Sequence, residues 1–177
     1  MKKSMSCWQI AGFLFTAIAG TFLHFLFDLT GQNRISALFS AVNESIWEHM
    51  KLLFFPMLLF AIVEKRFGPE TGSRFWCVKL TGILLGLVLI PTLYYTYTGI
   101  LGVNADWFNI TIFFLAAGIT FWVEAKLFTK DTPCPIPSGV ALGLLLGIGV
   151  LFFVLTFYPP RIPFFRDPVT GTYGFQR

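Results

Sequence analysis

Four apolar stretches, Cys7 to Leu29, Phe75 to Thr98, Trp107 to Phe128 and Gly139 to Tyr158, are each long enough to cross a hydrocarbon layer when wound as a helix. A helix bonds every backbone N–H and C=O within itself, so it is the natural way for such runs to sit in lipid. A soluble fold offers no home for them. Only 12% of the 177 residues are charged, about half the share in an ordinary soluble domain. The chain therefore reads as all-α: a polytopic membrane helical bundle, one transmembrane domain over 1–177.

A fifth apolar run, Leu52 to Val63, is too short to span alone. Extended backwards through Ile46-Trp47-Glu48-His49-Met50-Lys51, it becomes a span over about 46–64 that carries charge into its own end. Ahead of it, Ile35, Leu38, Phe39, Val42 and Ile46 recur at helical spacing with polar residues between. This pattern predicts an interfacial amphipathic helix over about 35–46. The spans are then about 7–29, 46–64, 75–98, 107–128 and 139–158, followed by a Pro-rich tail, 159–177, folding back over one face. The run from Cys7 to Leu29 is too long for the apolar core of a signal peptide and reads as the first span.

The net charge of +4 is spread singly and in pairs at span ends, which speaks for topology and against a nucleic-acid patch. Lys2, Lys3, Lys65, Arg66, Arg74, Lys79, Lys126 and Lys130 fall on one side of a five-span arrangement; Arg34, Lys51, Arg161, Arg166 and Arg177 fall on the other. The positive-inside rule puts the amino terminus in the cytoplasm and the carboxyl terminus outside. Trp8, Trp76, Trp107 and Tyr94-Tyr95-Tyr97 near span ends read as interfacial anchors. Cys7, Cys77 and Cys134 lack any metal or redox spacing and read as isolated thiols.

Gly12, Gly20, Gly82, Gly86, Gly139, Gly143 and Gly147 provide small faces at four-residue spacing, which suit close helix packing and a homo-oligomer. Ionisable residues are costly in a span and usually face the bundle interior or a wet cavity. His24 and Asp28 lie toward the outer end of the first span, while Asn43, Glu44, Glu48, His49 and Lys51 cluster at the start of the second. Joined by a short loop, these two segments are expected to build one outer-facing polar pocket. Within it, His24, Asp28, Glu44 and Glu48 are the expected ligands of a divalent metal such as Zn, Mn or Fe. Neither HExxH nor a two-Glu-xx-His pattern is present, so an alternative remains in which His24 and Asp28 pair with Lys51 or Arg34 while Glu44 and Glu48 cap and solvate an interfacial helix. Glu64 beside Lys65-Arg66 and Glu124 beside Lys126 read as local ion pairs, with Glu124 deep enough to relay a proton.

Ser40-Ala41-Val42-Asn43-Glu44-Ser45-Ile46-Trp47-Glu48-His49-Met50-Lys51, His24-Phe25-Leu26-Phe27-Asp28 and Phe165-Arg166-Asp167-Pro168-Val169-Thr170-Gly171-Thr172-Tyr173-Gly174 resemble a family of small bacterial membrane proteins of unknown function. The resemblance covers nearly the whole chain and implies a multi-pass protein of the bacterial cytoplasmic membrane, with no inherited activity. The chain departs from ceramidase-like membrane hydrolases, because its two histidines cannot build a three-His zinc site. Two function classes follow: binding or transport of a small molecule or ion through the outer pocket, and metal-dependent hydrolysis by the same side chains. A structural membrane subunit without a site is the third.

Overall fold

The computed structural model describes residues 2–69, 72–130 and 133–176, with side chains from Met5 onward. The charges expected to set topology at Lys2, Lys3 and Arg177 lie outside the described side chains. Six helices follow in order: α1 (Lys2–Leu29), α2 (Arg34–Phe39), α3 (Ile46–Phe67), α4 (Phe75–Leu101), α5 (Asp106–Phe128) and α6 (Ser138–Phe157). A single 3-10 turn, Pro163–Phe165, follows in the tail. All but α2 are long and apolar enough to cross a membrane. Among the described residues there is no strand, only one isolated bridge between Arg166 and Tyr173 in the tail.

The spans run up and down, so their ends gather into two sets. One set holds the end of α1, the starts of α3 and α5, and the ends of α4 and α6; we call it the His24 end. The opposite set is the Lys79 end. The central helix is α3, with 67% of its most apolar stretch buried against 28% for both α1 and α6. This explains how α3 tolerates Glu48, Lys51 and Glu64: it is enclosed by protein, and its polar groups find partners on other helices.

Lipid supplies no hydrophobic drive between helices, so close packing must come from small residues and interhelical bonds. A Cβ on Gly12 would lie 2.5 Å from a ring carbon of Phe121 and 2.7 Å from one of Phe60, and one on Gly20 would lie 2.6 Å from the Leu52 carbonyl oxygen. Gly82 and Gly86 press α4 against Glu124, Leu53 and Thr120. The α6 glycines behave differently from expectation: Gly139, Gly143 and Gly147 have nothing within 4 Å of such a Cβ. Helix α6 instead packs through Ala141, Leu145, Gly149, Phe152 and Thr156, the opposite side of the helix.

The helix expected over 35–46 is much shorter, ending at Phe39. Asn33 caps its start through Oδ1, which accepts from the N–H groups of Ile35 and Ser36 at 2.9 Å. It stops because Ser40 turns extended, its hydroxyl bonding back to the Ser36 carbonyl at 2.6 Å. Residues 40–45 then form a loop, and Ser45 begins α3 as its N-cap.

Two further expectations change. Cys77 and Cys134 are joined in a disulfide across 57 residues, with their Cα atoms 6.3 Å apart, because the start of α4 faces the segment leading into α6. Only Cys7 remains a free thiol. Glu64 and Glu124 do not pair with the lysines beside them in sequence; both carboxylates reach the Lys79 ammonium instead. Lys79 points inward from the first turns of α4 and is 1% exposed, so it serves as an internal counter-charge.

Candidate functional site

Three ligand-type side chains converge at the His24 end. His24 comes from the last turns of α1, Glu44 from the loop before α3, and His49 from the first turn of α3. His24 Nε2 lies 3.8 Å and His49 Nε2 3.4 Å from the same oxygen, Glu44 Oε2. The two imidazole rings meet edge to face at 5.3 Å. All three ligand atoms lie within 4.8 Å of one another. Metal–ligand bonds of about 2.0–2.2 Å in a tetrahedral shell put ligand atoms roughly 3.3–3.6 Å apart, so small rotamer adjustments suffice to close on an ion.

The local sequence fixes His49. Its Nδ1 sits 3.0 Å from the Ser45 carbonyl, one helical turn back. A carbonyl only accepts, so Nδ1 carries the proton and Nε2 presents its lone pair to the cavity. This is the usual device for orienting a metal-ligating imidazole. Burial pushes the Asp167 carboxyl up, but the N–H groups of Val169, Thr170 and Glu44 and the Thr170 hydroxyl outweigh it and hold the carboxyl below its ordinary value. Asp167 therefore fixes the tail turn whose Pro168 and Val169 line the same cavity as Glu44.

These three side chains line a cavity of about 420 Å³. Its walls include Gly20 and Thr21 of α1, Phe113 and Phe114 of α5, Pro168 and Val169 of the tail, and three polar residues that sequence reasoning missed: Asn104, Asp106 and Asn109. Tyr97 organises that missed wall. Its hydroxyl lies 2.6 Å from Asn109 Oδ1 and 3.0 Å from Asn104 Oδ1, and Asn109 Nδ2 donates to Asn104 Oδ1 at 2.9 Å. Tyr97 is 7% exposed, so it is a buried strut rather than an interfacial anchor.

The remaining expected site residues are elsewhere. Asp28 is exposed beyond the cavity and accepts from Gln32 Nε2 at 3.0 Å. Asn43 accepts from the Ser45 N–H and donates to the Gly174 carbonyl, holding loop and tail together. Glu48 and Lys51 form a sealed ion pair, 1% and 0% exposed. Glu48 also accepts from the Val42 N–H at 3.2 Å and the Thr156 hydroxyl at 3.1 Å; Lys51 donates to the Ala37 carbonyl at 2.8 Å. That network joins α2, the following loop, α3 and α6, and its burial leaves no room for a ligand. Of the four expected metal ligands, His24 and Glu44 are brought together, while Asp28 and Glu48 are not; His49 takes the third place.

A family model described as a family of unknown function, DUF6512, matches residues 1–175. The chain belongs to this family. No protein of curated function and no solved structure matches it. For this DUF6512 member, chemistry must be read from the site itself.

Proposed function

We propose that this membrane protein binds one divalent transition-metal ion through His24, His49 and Glu44, with the ion's open coordination position facing a cavity that admits a small ligand. The observation that carries the reading is the convergence of three ligand atoms from α1, α3 and the loop between them on one cavity wall. Two imidazoles and a carboxylate suit Zn, Fe or Mn; Mg and Ca favour all-oxygen shells. Three protein ligands plus an open position is the arrangement of ions that meet a substrate or exchangeable water, whereas purely structural zinc is closed by four.

A second reading, metal-assisted hydrolysis, is favoured by Asp106. It brings a carboxylate to the same cavity, where it can take a proton from a metal-bound water. Binding or passage of an ion requires no such base. Hydrolysis lost in Asp106→Asn while metal is retained would favour the enzyme.

The distribution of Lys and Arg supports an orientation in which the Lys79 end faces the cytoplasm and the cavity opens outward. The Cys77–Cys134 bond lies at that same Lys79 end and argues for an oxidising compartment there. Alkylation of the intact membrane protein decides between them: labelling of both thiols without reductant supports the outward cavity, and protection until reduction reverses it.

The metal reading is tested by equilibrium dialysis of the purified protein against Zn²⁺, followed by metal analysis. One equivalent is expected in the wild type and in Asp28→Asn, with loss in His24→Ala, His49→Ala and Glu44→Gln. A wild-type protein that retains none after dialysis, or variants that retain as much, would refute it.

A further inference from the structure

The Lys79 end carries a second, separate constellation inside the bundle. Lys79 Nζ lies 2.5 Å from both Glu64 Oε2 and Glu124 Oε2. Glu64 Oε1 accepts from Gln9 Nε2 at 2.6 Å. Glu64, Glu124 and Lys79 are each no more than 1% exposed and Gln9 is 3% exposed. The rings of Phe75, Phe121 and Phe128 lie 5.5–5.7 Å from the ammonium and exclude water from it.

The charges do not sum to zero. Two carboxylates face one ammonium, leaving one negative charge among the described residues of the cluster. Among the described residues, no other element supplies the missing charge. Among the described side chains of α1 the facing polar group is the neutral Gln9; α6, which packs on α4, has no ionisable residue. At the rim, Lys65 lies over the outer Phe75 ring, Lys126 over Trp122, and Arg74 donates to the carbonyls of Leu127 and Lys130. An uncompensated charge sealed in protein is costly enough to offset what protonating a glutamate in neutral water requires.

The hydrogen bonds also show which carboxyl should carry the proton. Glu64 has the Lys79 ammonium on one oxygen and Gln9 Nε2 as a donor to the other. Glu124 Oε1 is fully buried, lies against Gly82 and has no hydrogen-bond partner among the described residues.

We propose that the Glu64–Lys79–Glu124 cluster is a proton-binding site, occupied at neutral pH by one proton on Glu124. The proton comes from the aqueous phase and adds to a carboxylate oxygen; the cluster's charge falls from minus one to zero, and no other bond changes. This site is independent of the metal cavity, at the far end of the bundle.

Infrared spectroscopy of the full chain in lipid vesicles at pH 7 tests it. The wild type is expected to show a protonated-carboxyl C=O band that shifts to lower frequency in D₂O. The band should vanish in Glu124→Gln. It should also vanish in Glu64→Gln, because the remaining Glu124 then balances Lys79 one to one; an acid kept neutral by burial alone would keep its band. Lys79→Met should roughly double the absorption. No protonated-carboxyl band in the wild type, or a band that survives both glutamine substitutions, would overturn the proposal. Glutamine is isosteric with the neutral acid, and thermal unfolding of both variants verifies the fold.

Discussion

The two ends of the bundle handle ionisable side chains in opposite ways. At the His24 end, the side chains of His24, Glu44 and His49 are 33%, 47% and 23% exposed, around a cavity. At the Lys79 end, Glu64, Lys79 and Glu124 are sealed behind aromatic rings. The difference separates two meanings of intramembrane charge. Open groups cost little to remove and can exchange partners, as a ligand site requires. Sealed groups must settle their charge among themselves. Glu48–Lys51 marks the boundary: it lies toward the His24 end, yet it is sealed, balanced and bonded to Val42, Thr156 and Ala37. Proximity to the cavity therefore does not make a residue part of it.

Substitutions at the two ends should differ in kind. The largest effect is expected from Lys79→Met, which removes the counter-charge of buried Glu64 and obliges the cluster to take up a second proton; a loss of about 3–5 kcal/mol should appear in thermal or denaturant unfolding in detergent. Gly82→Ala forces a methyl group onto Glu124 and should cost roughly 1–3 kcal/mol, whereas Gly143→Ala, with open space before it, should shift the same transition by less than about 0.5 kcal/mol.

Asp167→Asn should cost about 1 kcal/mol of tail anchoring, seen as faster proteolysis or amide exchange across 159–176. The sign with pH follows from the lowered carboxyl. Its contribution is complete above the ordinary carboxylate value of 3.8 and is lost as pH falls through the lower folded value, so the tail should loosen in acid and tighten at neutrality. His49→Ala is expected to cost the metal-free fold little, less than about 1 kcal/mol, while removing metal retention. A large loss of stability there would make the imidazole a structural member and erase the contrast between the ends.

The spans were legible because length and apolarity are local properties that the bilayer fixes. His24 and Glu44 were legible as neighbours because one short connection links their segments. What escaped the sequence was non-local. Asp106 and Asn109 reach the cavity only because α5 packs against α1, and Pro168 and Val169 only because the tail returns. Lys79 looked like a topology signal, since nothing in its own segment shows that two glutamates from α3 and α5 meet it. Glu48 misled because it shares a helix start with His49, yet the two point to different neighbours. Ser45 caps α3 by accepting from the Glu48 N–H, while the Glu48 carboxylate turns to Lys51 and the Val42 N–H.

The central claim is that His24, Glu44 and His49 act together on one ion. X-ray absorption at the zinc edge, on protein loaded with one equivalent, tests this most directly. The expected first shell contains two imidazole nitrogens and at least one carboxylate oxygen at about 2.0–2.2 Å, and this imidazole signature should be absent in His24→Ala and in His49→Ala, which do not retain the ion. A shell without imidazole scattering, or one unchanged by either substitution, would contradict it.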